Sequence, residues 1–262
     1  MGTMQEPHAD WSLGAGVLSG WRKIWGISEL AIGYVLILAV IWTQRPLQRW
    51  LYLAALAWFV ASIALSFPGW KAMGCSVTGF WRSMWVAAVA LVVALSAALL
   101  ASGLGTLHHP GGFTQWVLAF GGYAVWSFMQ QLLLQGYFFL RLQRLMPNAY
   151  WAAIVAAVVF AIAHLPNPIL TPATLVWGLS ACLVFHRWRN VYPLAIAHAI
   201  FGICIAVTVP ASVLHNMRVG LGYLTYHRSH RTHLSQSVHS VSTVACVSAD
   251  APTRLSARHA LP

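Results

Sequence analysis

The chain is almost without acidic residues. Four Asp and Glu stand in 262 positions, and charged residues of both signs make up only 7%, where a soluble domain carries about 25%. So few charges cannot dress a water-exposed globule, which excludes an ordinary soluble enzyme. Cysteine is scarce as well. Cys75, Cys182, Cys204 and Cys246 are scattered, with no C-x-x-C pair, which argues against both a zinc ribbon and a disulfide framework. The first residues also lack the short apolar stretch and cleavage site of a signal peptide, so the first span is expected to act as the targeting signal too.

What the chain does have is hydrophobic residues, 59% of the total, fourteen Trp, and a net charge of +11. A basic chain can bind nucleic acid. Here, however, Arg and Lys sit in short loops and at the termini, which is how a membrane protein uses positive charge. The expected fold is an all-α, polytopic transmembrane bundle of about seven spans in the cell membrane, with the lipid bilayer as partner and no nucleic acid. The spans are expected near 24–42, 50–67, 84–104, 114–140, 150–165, 169–185 and 191–209, most of them close to the roughly 20 residues a bilayer core requires. The organisation this implies is a polar lead-in (1–23), three accessory spans (24–112), a core of four spans (113–225) and a disordered tail (226–262). The loops after the second, fourth and sixth spans each carry two Arg or Lys, which fits a cytoplasmic N-terminus. Arg45 and Arg49 fall on the wrong side of that scheme.

Polar residues inside spans are functional-site hypotheses by default. The fourth span holds three: W-S-F-M-Q-Q-L-L-L-Q-G-Y places Gln130, Gln131 and Gln135 within about one and a half turns. Ser127, Gln131 and Gln135 share a stripe by their spacing of four. His164 closes the fifth span four residues after Phe160, and His198 lies in the seventh, four before Gly202. Glu29, near the start of the first span, reads as an interfacial carboxylate in contact with headgroup water. His108 and His109 sit in a Pro/Gly turn and read as loop histidines. The tail histidines His227, His230 and His233 lie in a Ser/Arg-rich stretch that favours disorder over a metal site. The stretch from His215 to Tyr223 is placed to cap a cavity, with Arg218 near headgroups.

A Q-Q-x-x-x-Q-G-Y helix, then F-x-x-x-H, then H-x-x-x-small two spans later resembles the CPBP superfamily of CAAX prenyl endopeptidases and bacteriocin-processing intramembrane proteins, over about Trp116 to Val209. That family's pattern is E-E-x-x-x-R, F-x-x-x-H and H-x-x-x-N. The resemblance puts Gln130 and Gln131 at the paired glutamates, Gln135 at the arginine, and Phe160 and His164 on the second motif. It puts His198 on the third, with Gly202 where the family has Asn, and it implies Ser127, Phe160 and Gly202 as cavity residues. In the family the first glutamate and the histidines are thought to activate a water. Glutamine keeps the reach of glutamate but cannot take that water's proton. Losing the arginine along with both carboxylates avoids a stranded buried charge, so the three changes read as one coherent exchange of an ionic network for an amide network.

The resemblance leaves three functions open. One is a protein that keeps the fold and holds a hydrophobic or prenylated peptide, or a transmembrane segment, without cutting it. The second is an active endopeptidase using His164 and His198, directly or on zinc. Zinc would need a third protein ligand, from His215 or Glu29. The third is a repurposed cavity for lipid or isoprenoid chemistry or transport.

Overall fold

The computed structural model describes residues 20–108 and 111–226. The chain divides into a compact unit, residues 1–223, and a second unit, 224–262; the helices that build the site all belong to the first. The lead-in before Gly20, His109, Cys246 and the tail histidines lie outside the described residues.

The described residues are helical and carry four helices long and apolar enough to cross a membrane: α1 (Gly20–Trp42), α2 (Leu47–Leu65), α3 (Phe80–Gly103) and α4 (Phe113–Leu145). Two shorter apolar helices follow as α5 (Ala149–Ile162) and α7 (Tyr192–Thr208). Between them runs α6 (Leu170–Trp188), and after α7 comes the single turn α8 (Ala211–Leu214). Along the apolar stretch of each long helix only 17–22% of residues are buried, so their apolar side chains face outward. A water-soluble chain could not leave that much apolar surface exposed, whereas a bilayer solvates it. The chain is a multi-pass membrane protein.

The interior is built by close approach of small residues. Ala152, Ala153, Ala156 and Ala157 of α5 are buried, and a Cβ on Gly178 of α6 would meet the Ala157 Cα at 3.3 Å. The two backbones therefore pack almost directly, as small-residue faces permit between apolar helices. Helix α7 packs against both α3 and α4, and α1 pairs with α2.

Helix α4 departs from the regular α-helix that its apolar run suggests. Residues Leu132–Phe139 form a π-helical segment, and every residue from Leu134 to Leu142 is buried. A helix with one exposed face could not show nine buried residues in succession. This stretch lies at the centre of the unit, and π segments inside α-helices frequently mark functional sites.

Two buried asparagines fasten the ends of α6. Asn190, just after it, donates from Nδ2 to the Ser76 and Thr78 carbonyls at 2.7 and 3.0 Å. Asn167, just before it, donates to the Leu214 and Arg218 carbonyls at 3.0 and 3.1 Å and accepts from the Ile169 and Leu170 amides. Asn167 thereby holds His215, Asn216 and Met217, three successive residues with φ of 50°, 52° and 58°. Non-glycine residues adopt this left-handed conformation at a cost and keep it only where their surroundings over-determine it. We expect Asn167→Ala to lower stability by about 2–3 kcal/mol, from several lost buried hydrogen bonds. Denaturant unfolding in detergent would measure the loss, and faster protease cutting within 214–219 than elsewhere would locate it.

Candidate functional site

The site is assembled by α4, α5 and α7. Gln131 and Gln135 are fully buried and form a relay. Gln135 Nε2 donates to Gln131 Oε1 at 3.3 Å, and Gln131 Nε2 lies 3.0 Å from His198 Nδ1 on α7. With Oε1 already accepting, the Gln131 amide donates through its nitrogen, so His198 Nδ1 is the acceptor and the ring proton sits on Nε2. His198 therefore offers an N–H through its remaining nitrogen, not a lone pair.

His164 has the opposite tautomer. Its Nδ1 lies 2.7 Å from the Phe160 carbonyl, which can only accept, so Nδ1 carries the proton and Nε2 has the lone pair. The local fold explains the contact. The His164 amide bonds to Ala161 in the closing turn of α5, and the side chain satisfies a last-turn carbonyl. The Phe160 ring meets both imidazoles edge-on, with centroids 4.8 Å from His164 and 5.9 Å from His198.

Gln130, Phe160, His164, His198 and Gly202 line one cavity of about 1150 Å³, whose walls are otherwise mainly apolar. Asn216, Met217 and Val219 also line it, so part of the stretch after α7 borders the cavity. Ser127 is placed differently from its expected position in the cavity wall. It is fully buried and, like Gln131 and Gln135, stands behind the lining. The α4 stripe thus supports the histidine from the rear, and of the three glutamines Gln130 alone reaches the cavity surface.

Glu29 does not meet bulk headgroup water. Its carboxylate pairs with Arg141 at 2.9 Å, with side-chain exposures of 12% and 9%, and it also accepts from the Ser62 hydroxyl. Arg141 donates further to Ser66 Oγ at 2.6 Å and lies over the Tyr137 ring at 3.9 Å. The Tyr137 hydroxyl in turn reaches the Glu29 carbonyl at 3.0 Å. This polar knot ties α1, α2 and the end of α4 together.

That placement also removes Glu29 as a third zinc ligand. Helix α5 starts where α4 ends, and His164 closes it about 20 Å further on at 1.5 Å per residue. His215 stacks on Tyr223 with centroids 4.1 Å apart. Among the described residues no three His, Cys, Asp or Glu side chains converge for a metal. The residues do not fit a resident zinc. Cys75, Cys182 and Cys204 are free thiols, and burial pushes the Cys75 thiol above its ordinary range.

Sequence reasoning missed Tyr123, Asn167 and the Glu29–Arg141 pair. The N-P dipeptide hinted at Asn167, and a lone acid in an apolar span hinted at Glu29, but its partner lies 112 positions away. Nothing in the sequence singled out Tyr123.

No curated protein and no solved structure matches the chain. Residues 112–204 do match the family model described as Type II CAAX prenyl endopeptidase Rce1-like, and every glutamine and histidine of the site falls within them. Over residues 112–204, about a third of its length, this multi-pass membrane protein is therefore similar to the Rce1-like type II CAAX prenyl endopeptidase family.

Proposed function

We propose that the protein holds a hydrophobic or prenylated peptide segment in its membrane cavity without hydrolysing it. One observation carries this reading: the Gln131 amide on His198 Nδ1. A carboxylate there would accept the Nδ1 proton and leave Nε2 as a base. The amide donates instead and selects the opposite tautomer, and a mis-set tautomer is ruinous for histidine base catalysis. Gln130, at the cavity surface, is no proton acceptor either. The cavity is nonetheless large enough for a drug-sized or lipid-sized guest. Its two histidines offer one acceptor, His164 Nε2, and one donor, His198 Nε2–H, a pair suited to the N–H and C=O of a peptide unit.

A second reading rests on His164. Its Nε2 lone pair would let it act as the base of an endopeptidase, since it needs no carboxylate to hold its tautomer. One assay separates the two. The protein in lipid nanodiscs is incubated with a fluorescent farnesylated peptide, and anisotropy and product release are followed together. Saturable binding without product is the expected result. Product formation that disappears in His164→Ala would establish the endopeptidase instead.

All seven long helices, α1 to α7, cross the bilayer in this proposal. The Glu29–Arg141 pair puts the start of α1 beside the end of α4, as alternating crossings require. That end collects Arg22, Lys23, Lys71, Arg82, Arg141, Arg144, Arg187 and Arg189, against Arg45, Arg49 and Arg218 at the other. The positive-inside rule makes the richer end cytoplasmic, in the cell membrane.

A further inference from the structure

Gly202 faces the cavity with no side chain, yet the space beside it is filled. A Cβ built on Gly202 would overlap the hydroxyl, and the ring carbon bearing it, of Tyr123 from α4. Tyr123 is part of the cavity lining. Its ring stands edge-on to the His198 imidazole, with centroids 6.5 Å apart and planes at 90°. Its polar neighbour is Ser127, one turn further along α4. Helix α4 therefore delivers a phenol into the volume that a side chain at position 202 of α7 would occupy. The glycine is what admits it.

A phenol in that position brings an O–H donor to a wall that is otherwise mainly apolar, on a residue whose ring neighbours the His198 imidazole. Two neighbouring donor-bearing side chains in the wall of a mainly apolar cavity suit a carbonyl oxygen, which has two lone pairs to fill. Away from water such a group binds well only where its hydrogen bonds are replaced. We infer that Tyr123, through its hydroxyl, is the residue that anchors a ligand carbonyl beside His198, doing from α4 what glycine at 202 cannot do from α7. The ligand class is an amphiphile with an amide or ester carbonyl on a long apolar chain. This inference rests on the proposed binding function.

The test compares two probes on the protein in nanodiscs. One is the fluorescent farnesylated peptide. The other is the same molecule with an E-alkene replacing the amide nearest the farnesyl-cysteine, so that shape is kept while the carbonyl and the N–H are both lost, and the Tyr123→Phe comparison isolates the carbonyl contact. The wild type should bind the peptide about tenfold more tightly than the isostere, the size of one well-made hydrogen bond in a dry site. Tyr123→Phe, which keeps the ring and so the cavity shape, should shrink that preference to about twofold by weakening the peptide alone. A preference unchanged in Tyr123→Phe overturns the anchor and leaves the binding reading standing, as does a wild type that binds both probes equally. A wild type that binds neither probe overturns both. A loss in Tyr123→Phe equal for both probes marks a structural role and also overturns the anchor. Gly202→Ala adds a check on the steric premise: it should lower the unfolding temperature, and Tyr123→Ala on the same chain should recover most of the loss.

Discussion

Arg141→Met should unfold the protein far more readily than substitutions elsewhere on α4, by about 3–5 kcal/mol, because removing one member of a buried ion pair leaves the other charged and uncompensated. Glu29 would keep the Ser62 hydroxyl but lose the guanidinium that lies 2.9 Å away. The Tyr137 ring would lose the cation above it, and Ser66 its short bond from Arg141. Glu29→Gln alone should cost less, since a neutral amide remains a hydrogen-bond partner for Arg141 and Ser62. Combining Glu29→Leu with Arg141→Met should return much of the loss, because apolar replacement of a whole buried pair is often nearly neutral. Denaturant titrations of the four proteins in one detergent measure this. Equal stability of Arg141→Met and the wild type would show that the knot does not hold α1 to α4. The knot belongs to architecture: it lies at the far end of α5 from His164, so these variants should keep the peptide-over-isostere preference wherever they remain folded.

The second large effect is a gain. Gln131→Glu should reverse the His198 tautomer, since a carboxylate accepts from Nδ1–H and releases Nε2 as a base. Gln130→Glu places a proton acceptor at the cavity surface. Gln135→Arg supplies the counter-charge one turn from position 131, where Gln135 Nε2 already lies 3.3 Å from Gln131 Oε1. Cys182 borders Gln135, so Cys182→Ala gives the larger side chain room. The combined variant should cleave the farnesylated peptide about 10²–10⁴-fold faster than its parent, the usual contribution of a positioned general base. Gln131→Glu by itself should be poorly stable and inactive, because its carboxylate is fully buried with no cation beside it. A parent that cleaves as fast as the combined variant would remove the tautomer argument and favour His164 as a self-sufficient base.

The helical segments were largely legible in the sequence, and four of the seven expected spans are helices long and apolar enough to cross a membrane, because bilayer thickness and apolar content constrain span length so tightly. The helix ends fall within a few residues of those expected, with α4 running longer, to Leu145. The small-residue face of α5 was equally readable, since alanines at helical spacing have one use between apolar helices. The π segment was not. Its residues are as apolar as those of an ordinary span, and only packing on all sides decides the register there. The asparagine clamps escaped for a related reason. Asn167 bonds to residues 47 and 51 positions away, and no local pattern encodes that.

At the site the division falls between identity and direction. Their place inside apolar spans put Gln130, Gln131, Gln135, His164 and His198 forward as candidates, because each would be costly facing lipid, and the family resemblance joined them into one site. Neither could say which glutamine meets the cavity, which nitrogen of each imidazole holds the proton, or that a tyrosine from α4 fills the place of a side chain missing from α7. Those depend on the angle at which α4 meets α5 and α7. A rotation of the helix by one residue would exchange Gln130 and Gln131, since neighbouring side chains lie about 100° apart around the axis. The sequence determined that this protein places glutamines and histidines inside apolar helices and that the candidate site they form is without carboxylates. The tertiary structure decided what those residues present to the cavity, because hydrogen-bond direction is a property of neighbours brought together by folding.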